Sequence, residues 1–332
     1  MNKSSNNAPR LLLAPMEGVM DSVMRGMLTG IGGYERCVTE FVRISSTVLP
    51  PKVYYRLCPE LKNDGRTKAG TPVYVQLLGS DPALMAANAK TVAKLGAPGI
   101  DLNFGCPAKT VNKSRGGATL LKTPELIFTI CKAVRDATPI DTPVTAKVRL
   151  GFDDDSQFNS IADCAIRSGI DELTVHARTK TQAYRPPAHW ALLKNVTNTR
   201  DIPIIANGEI WTPSDLMSCR EQSGCEAFML ARGALCRPDL GRAIKAHTDN
   251  VAIAPMTWPE ITELLIHFFE ENGARYERKY AINPLKQWLV YLQYCYPQAA
   301  ALFAEVKRIR DPDAMMCALL VASQKQAISA SA

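Results

Sequence analysis

The chain contains 332 residues, of which 46% are hydrophobic and 7% aromatic, and it carries a formal net charge of +7 at pH 7. This length allows one large domain and a smaller one, the apolar content argues against extensive disorder, and the mild charge permits an anionic partner without requiring one. Ten scattered cysteines without a Cys-X-X-Cys pattern, and four histidines without paired spacing, argue against disulfides and against zinc or iron–sulfur binding.

The first segments along the chain are a polar stretch and a short apolar run. Residues 1–10 are polar and predict a loose tail. The apolar run that follows is far too short for a signal-peptide core or a membrane span, and no other segment approaches membrane length. The sequence therefore predicts a soluble, cytoplasmic protein with no membrane partner.

Eight short apolar runs then alternate with segments of helical character. Nearly continuous apolar strands indicate burial on both faces, as in a parallel sheet covered by helices. Three helices are predicted to start at Asp81-Pro82, Thr123-Pro124 and Thr212-Pro213, where a capping residue precedes proline. We therefore predict an α/β fold, a TIM (β/α)₈ barrel. A doubly wound open sheet is the main alternative, but no Gly-X-Gly-X-X-Gly follows the first strand. The predicted strands are 11–15, 37–42, 73–77, 100–103, 144–148, 173–176, 204–207 and 227–230.

The pattern changes after about residue 245, where no further strand is predicted. From Trp258 onward, apolar residues recur at helical spacing. We predict a barrel over residues 1–245 and a small all-helical C-terminal domain over 246–332. Basic residues cluster at 275–280 and 307–310 in that domain. Taken alone, each cluster is best interpreted as a solvated helix face.

In a barrel of this kind, chemistry takes place at the carboxyl ends of the strands. Those ends carry amides, one lysine, one histidine and glycines, without the paired carboxylates of a glycosidase or a carboxylate–histidine metal site. Such a ring suits a flat heteroaromatic ligand with an anionic tail, and no metal is predicted. The strand-end residues are Pro15, Met16, Glu17, Glu40, Gln76, Asn103, Cys106, Lys147, Arg149, His176, Arg178, Asn207, Gly208, Glu209, Ala231, Arg232 and Gly233.

These groups predict a flavin mononucleotide (FMN) site. Lys147 provides a fixed positive charge near a ring that becomes anionic on reduction, while Gln76 and Asn103 hydrogen-bond to ring edges. The glycine-bearing turns at 208 and 233, with Arg232, are placed where barrels hold phosphate. A Schiff-base aldolase that uses Lys147 is the alternative, and the amide-rich ring makes it less favoured. The predicted FMN residues are Pro15, Met16, Glu17, Gln76, Lys147, His176, Asn207, Gly208, Glu209, Ala231, Arg232 and Gly233.

Seven motifs, in order and over nearly the whole chain, resemble those of the tRNA-dihydrouridine synthases. Residues 208–211 and 286–289 are similar to the bacterial C-type branch, which acts on uridine 16 of the tRNA D-loop. Two positions depart from the family pattern, since Ala177 and Ala231 stand where glycine is usual. If those glycines adopt positive φ, the phosphate turn must shift here. The motifs are Ala14-Pro15-Met16-Glu17-Gly18-Val19, Thr39-Glu40-Phe41, Asn103-Phe104-Gly105-Cys106-Pro107, Gly116-Gly117-Ala118, Lys147-Val148-Arg149, His176-Ala177-Arg178-Thr179 and Asn207-Gly208-Glu209-Ile210.

The resemblance implies reduction of the uracil C5=C6 bond, with NADPH as the ultimate donor. Hydride is delivered to C6, so C5 must be protonated from the opposite face. A neutral thiol is a suitable acid at pH 7, and Cys106, on a sharp Gly-Cys-Pro turn, is the predicted proton donor. The other nine cysteines are predicted to be packing or surface thiols. The polar stretch from Lys109 to Arg115 is predicted to fold over the substrate as a lid.

The resemblance also implies a tRNA partner whose target base is held out of its stack. Asn103, Arg178 and Tyr184 are candidates for the uracil edge, while Glu40 either accepts a bond from a base or fixes Arg178. A monomer is expected. The rivals are a flavin reductase of free pyrimidines, of the dihydroorotate or dihydropyrimidine type, and a non-catalytic tRNA-binding protein. The predicted phosphate contacts are Lys109, Lys113, Arg115, Arg185, Arg275, Arg278, Lys279 and Lys286.

Overall fold

The computed structural model describes residues 8–327 of the chain, with side chains to residue 324. Most of the predicted polar tail lies outside these residues. Within them, nine β-strands form a single sheet in which neighbouring strands run parallel. The strands are β1 (Arg10–Leu13), β2 (Arg36–Val38), β3 (Val42–Arg43), β4 (Val73–Leu78), β5 (Ile100–Asn103), β6 (Val144–Arg149), β7 (Glu172–His176), β8 (Ile204–Asn207) and β9 (Ala227–Leu230).

The sheet closes on itself as a barrel. Its strands follow the order β2-β1-β9-β8-β7-β6-β5-β4-β3, and an additional β2–β4 pairing joins the two ends. Because β2 and β3 both pair with β4, they form two halves of one interrupted barrel strand. Counted in this way, the barrel has eight strands, and the predicted (β/α)₈ fold is confirmed.

The eight predicted strands are all present, but the second one is broken at residues 39–41. At the break, the Gln76 N–H bonds to the side-chain oxygen of Thr39 at 3.0 Å rather than to a main-chain carbonyl. A side chain that replaces a ladder carbonyl interrupts the strand. The break directs Glu40 and Phe41 out of the sheet, at the carboxyl end of the barrel.

Helices cover the outside of the barrel, and the three with predicted starts begin at Pro82, Pro124 and Pro213. The Asp81 side chain accepts from Leu84 N at 2.9 Å, and Thr212 and Asp215 form a capping box at the later start. Thr123 precedes the third predicted start without a side-chain cap. The barrel helices are α1 (Ser22–Ile31), α2 (Pro51–Leu57), α3 (Pro82–Lys94), α4 (Lys109–Lys113), α5 (Pro124–Ala137), α6 (Phe158–Arg167), α7 (Lys194–Thr197), α8 (Pro213–Ser223), α9 (Arg232–Cys236) and α10 (Leu240–Thr248). Short 3₁₀ turns span Pro59–Lys62, Gly117–Lys122, Trp190–Leu193 and Arg278–Tyr280.

The remainder of the described chain is helical and packs against the barrel. Trp288 is buried, meets Phe268 edge-on at 4.8 Å between ring centroids, and donates from Nε1 to Leu235 O at 3.1 Å. The predicted boundary at residue 245 falls inside α10, so we propose the irregular segment 249–257 as the boundary. The helices after it are α11 (Trp258–Arg275), α12 (Ile282–Leu292), α13 (Pro297–Val306) and α14 (Pro312–Ala327). In residues 8–327, none of the helices has the length and hydropathy needed to span a membrane.

Candidate active site

A cavity of about 460 Å³ opens at the carboxyl end of the barrel. Its volume is within the range of small-molecule sites, roughly 300–1,000 Å³. The strand register sets predicted residues side by side there, since Asn103 is paired with Lys147 and His176 with Asn207. Predicted residues that line this cavity are Pro15, Met16, Glu17, Gln76, Asn103, Cys106, Lys147, His176, Arg178, Tyr184, Asn207, Gly208, Glu209, Ala231, Arg232 and Gly233.

A chain of buried amides holds one wall of the cavity in place. Gln76 Nε2 donates to Asp101 Oδ2 at 2.7 Å, and Gln76 Oε1 accepts from Asn103 Nδ2 at 2.8 Å. The oxygen of Asn103 in turn accepts from the backbone N–H groups of Gly105 and Cys106, at 3.0 and 2.9 Å. Asp101 thus fixes which end of each amide faces which neighbour, and Asn103 positions the Cys106 turn.

Lys147 lies next to this wall with its ammonium group in the barrel mouth. Its Nζ donates to Asn207 Oδ1 at 2.8 Å, while Asn207 Nδ2 donates to Met229 O at 2.7 Å. Burial, and then the nearby Arg149, lower the pKa of Lys147 from 10.5 to about 7. A hydrogen-bond acceptor or an anion placed in the cavity would therefore favour the charged form of this side chain.

Cys106 differs from the other thiols in the described chain. It is partly exposed at the cavity, whereas seven of the others are buried and two, Cys295 and Cys317, are exposed on the C-terminal helices or beside them. Burial raises the pKa of the Cys106 thiol above its usual value, and Glu17 adds to this effect. The thiol is therefore protonated at neutral pH, as a proton donor requires.

Arg149 ties the Cys106 turn to the opposite loop. Its Nε donates to Gly105 O at 2.8 Å, and one terminal nitrogen donates to Thr179 O and Ala183 O at 3.2 and 3.0 Å. The side chain is 3% exposed, so it acts as an internal brace. Sequence reasoning placed Arg149 at a strand end without a role, because the loops that it joins are distant in sequence.

Gly117 makes the closest approach to the Cys106 turn. Its φ is +58°, and a Cβ there would lie 2.8 Å from Cys106 O and 3.1 Å from Cys106 Cβ. The segment predicted as a lid, Lys109 to Arg115, also contacts the Cys106 turn. Asn112 Nδ2, within α4, donates to Cys106 O at 3.2 Å. In the structure, this segment is a short helix that supports the Cys106 turn.

We expect Gly117→Ala to lower activity by displacing Cys106. The substitution combines positive φ with a backbone clash, at a cost of about 1–3 kcal/mol. The matched control is Gly26→Ala within α1, where a Cβ meets nothing within 4 Å and helix propensity improves. The midpoint temperature of thermal unfolding and the rate of product formation should both fall for Gly117→Ala and stay unchanged for Gly26→Ala. Equal behaviour of the two variants would contradict this role.

The end of β8 forms a strained turn that the buried Arg178 stabilises. Gly208 and Glu209 both adopt positive φ, +116° and +59°, and a Cβ on Gly208 would lie 2.9 Å from the His176 ring. The Glu209 carboxylate forms an ion pair with Arg178, which is fully buried and donates to Arg185 O at 2.7 Å. Arg178 and Glu209 therefore hold each other in place at the wall of the cavity. Their contacts with uracil and flavin stay predictions.

Arg232 is the cation that remains available in the cavity. Among the described residues, no hydrogen bond or ion pair engages its guanidinium, which lies 5.3 Å from the Tyr184 ring centroid and 4.9 Å from that of Trp211. Ala231 has φ −122°, and Ala177 is not among the residues with positive φ. Neither alanine therefore adopts the positive φ that would favour glycine, and the expected shift of the turn is not required.

His176 is neutral at physiological pH. Burial, followed by the charges of Arg149 and Lys147, lowers its pKa well below 6.5. Its ring lies 6.1 Å from Tyr184, which is 52% exposed at the mouth. His176 and Tyr184 therefore give the cavity an aromatic, uncharged side, whereas Lys147 contributes a polar amino group.

The remaining predicted tRNA residues lie outside the cavity. Arg278 pairs with Asp313 at 2.6 Å and Lys279 with Glu277 at 2.6 Å, all at exposed positions where such pairs contribute little and exchange readily. Lys109 and Arg185 are exposed near the mouth, and Arg275 is bonded to Arg56 O at 2.9 Å.

Two residues predicted to contact tRNA bond to other groups of the protein in the structure. Lys286 Nζ donates to Lys307 O and Ile309 O, at 3.1 and 2.6 Å, so it ties α12 to the segment after α13. Its contact with a phosphate stays a prediction. Glu40 accepts from Gly18 N and lines a second cavity, so it is not the carboxylate that fixes Arg178. Sequence reasoning also gave no role to Asp101, Trp211 and Tyr291. A charged residue inside an apolar strand was the available signal for Asp101.

The fold and the cavity define a protein of the (β/α)₈-barrel class with a polar site at the carboxyl end of its strands. A model of the oxidoreductase family "Dihydrouridine synthase (Dus)" matches residues 12–329. The chain is 49% identical over 302 residues to the tRNA-dihydrouridine(16) synthase of Pseudomonas putida, covering 91% of this chain and 94% of the relative. It is 48% identical over 303 residues to that of Vibrio cholerae and 45% over 305 residues to that of Neisseria meningitidis, with 90% and 92% of this chain and 92% of each relative covered. The chain therefore belongs to the dihydrouridine synthase family.

Solved structures with low sequence identity share the barrel. Histamine dehydrogenase from Rhizobium sp. 4-9 superimposes with a TM-score of 0.55 at 14% identity, over 77% of this chain and 48% of that one. A 2-naphthoyl-CoA reductase complex gives a TM-score of 0.55 at 12% identity, over 73% and 50%. The chain spans about half the length of each of these proteins, and the likeness shows the fold alone.

Proposed function

We propose that this protein reduces the C5=C6 bond of a uridine in the tRNA D-loop, at position 16, to 5,6-dihydrouridine. The single observation that carries the proposal is the placement of the partly exposed Cys106 thiol in the same cavity as Lys147 and the buried amides. The family membership and the relatives named tRNA-dihydrouridine(16) synthases support the reaction and the position.

The cavity residues fit a bound FMN. Lys147 supplies a positive charge, Gln76 and Asn103 supply amide groups, and Arg232 supplies a cation without an acidic partner among the described residues. Gly208 leaves room where a Cβ would strike His176. Bound FMN would supply the hydride for C6 of uracil, with NADPH as the ultimate source of electrons.

In this mechanism, the protein positions the base and moves one proton. Cys106 donates its thiol proton to C5, on the face opposite the hydride donor, and recovers a proton from solvent afterwards. Asn103 holds the Cys106 turn through two backbone N–H groups, and Arg149 braces it from the far side. Tyr184 is exposed at the mouth, where it can stack against a base held out of the helix.

The exposed cations make a salt-sensitive contact with tRNA in this proposal. Because each phosphate neutralised releases counterions, we expect affinity to fall by about tenfold or more between roughly 50 and 200 mM salt. Binding measured by fluorescence anisotropy with labelled tRNA tests this. A flat response over that range would argue against an electrostatic tRNA face.

The decisive experiment measures the product. The purified protein should be yellow, should be bleached by NADPH, and should form dihydrouridine in tRNA that lacks it, detected by mass spectrometry of nucleosides. Turnover of free uracil or dihydroorotate, without turnover of tRNA, would favour the small-molecule reductase instead. A colourless protein that binds tRNA without forming product would favour a binding protein.

Two further properties follow from this proposal. A tRNA substrate places the enzyme in the cytoplasm, and the complete cavity within one chain supports a monomer as the working unit. In the described part of the chain, no group of His, Cys, Asp and Glu side chains is arranged to hold a metal ion.

A further inference from the structure

A second cavity, of about 280 Å³, lies between the carboxyl end of the barrel and the C-terminal helices. The barrel contributes Asp21 and Glu40, and the helical region contributes Tyr276, Tyr280 and Trp288. Its volume is close to the lower end of small-molecule sites, roughly 300 Å³. The cavity exists only because the two parts of the chain pack together.

This cavity adjoins the catalytic one. Val19 lines both, and the residues on either side of the division are neighbours in sequence. Glu17 lines the catalytic cavity and Gly18 the second one, while Phe41 lines the first and Glu40 the second. The two cavities are therefore close enough for one nucleic-acid chain to contact both.

The walls of the second cavity combine aromatic faces with hydrogen-bond acceptors. Tyr276 and Tyr280 are 42% and 54% exposed, and Trp288 has its N–H engaged by Leu235 O, so the cavity meets aromatic surface. Glu40 is anchored by Gly18 N, and Asp21 by Met24 N at 2.9 Å. Carboxylates held in this way accept hydrogen bonds and repel phosphate.

Three basic residues are close neighbours in sequence of the two tyrosines that line this cavity. Arg275 precedes Tyr276, and Arg278 and Lys279 lie in the turn that ends at Tyr280. Such neighbouring cations suit the phosphates of a nucleic-acid chain, while acceptors and aromatic faces inside suit an unstacked base. This charge distribution favours entry of a base over entry of a phosphate.

We propose that the second cavity binds another everted base of the same tRNA, and that this base is a guanine. Guanine presents N1–H and N2–H₂ as adjacent donors, which match a carboxylate acceptor; uracil presents one such donor. Binding of a second base would set the register of the loop and thereby select which uridine enters the catalytic cavity. The inference rests on the proposed function, since it assumes a tRNA substrate.

Chemical probing of the complex tests the guanine. Kethoxal modifies unpaired guanine at N1 and N2, so one loop guanine should lose reactivity when the holoenzyme binds substrate tRNA. Protection should be lost with Glu40→Gln. If the wild-type enzyme forms dihydrouridine but protects no guanine, the inference is overturned while the proposed function stands. If no dihydrouridine forms, the proposed function itself fails.

Kinetics provide the second arm. Glu40→Gln should raise KM for tRNA by about tenfold or more, because a hydrogen bond to a charged group is lost. Tyr280→Ala should do the same, and Tyr280→Phe should retain near-normal KM because the stacking face remains. The matched control is Glu263→Gln, an exposed carboxylate on α11 away from the cavity. Unchanged KM in both Glu40→Gln and Tyr280→Ala would overturn the inference.

Discussion

Cys106→Ala should lower the rate of uridine reduction by about 10²- to 10⁴-fold, the usual contribution of a positioned general acid. The variant removes the proton donor but leaves Lys147 and the amide wall, so flavin content and flavin reduction by NADPH should persist. Single-turnover measurement of dihydrouridine, starting from enzyme reduced in advance, isolates this step. Loss of both half-reactions would instead indicate a damaged cavity.

Two matched substitutions sharpen the assignment. Cys295→Ala removes an exposed thiol that lies outside the catalytic cavity, and it should leave the rate unchanged. Cys106→Ser keeps a donor of similar size, but its hydroxyl is a far weaker acid than a thiol, so the rate should remain close to that of Cys106→Ala. Full activity in either Cys106 variant would rule out the thiol as the acid.

Lys147→Met should weaken FMN binding and slow flavin reduction by about 10- to 100-fold, because a charge-assisted hydrogen bond contributes roughly 1.5–3 kcal/mol. Methionine retains much of the apolar stem, so the barrel should still fold. Stopped-flow bleaching of the flavin by NADPH measures the effect. Lys90→Met, at an exposed position on α3, is the control and should bind and reduce FMN normally.

From the lowered pKa of Lys147, we expect FMN binding to be coupled to proton uptake. With a pKa of about 7, the side chain is mostly neutral at pH 8 in the protein without flavin. Acceptors on a bound ring favour the ammonium form and raise the pKa, so FMN binding at pH 8 should take up a proton. Calorimetry in two buffers of different ionisation enthalpy counts it. The same uptake in Lys147→Met would contradict the assignment.

The sign for stability follows from the same pKa. Between pH 7 and 10.5, the unfolded chain holds a proton on Lys147 that the folded apoprotein does not. This difference raises the free energy of unfolding of the apoprotein as pH rises through that window. Below pH 7, the contribution of Lys147 to the free energy of unfolding no longer changes with pH. Bound FMN should reduce this dependence by restoring the charge.

The amino-acid sequence determined the barrel and the chemistry at its mouth. Each strand is a local apolar run, the three predicted helix starts are local signals of a polar residue before proline, and Asn103, Cys106 and Lys147 follow from their places at strand ends. Such features depend on neighbours along the chain, and parallel strands bring their carboxyl ends together in any closed barrel. The family motifs added the reaction.

Only the tertiary structure decided which charged groups are free. Arg178 and Lys286 are basic residues in sequence, but one is paired with Glu209 and the other is held by the carbonyls after α13. Glu40 became part of a cavity shared with Tyr280, 240 positions further along the chain. Burial and pairing arise between segments that are remote in sequence, and no local pattern records which of them will meet.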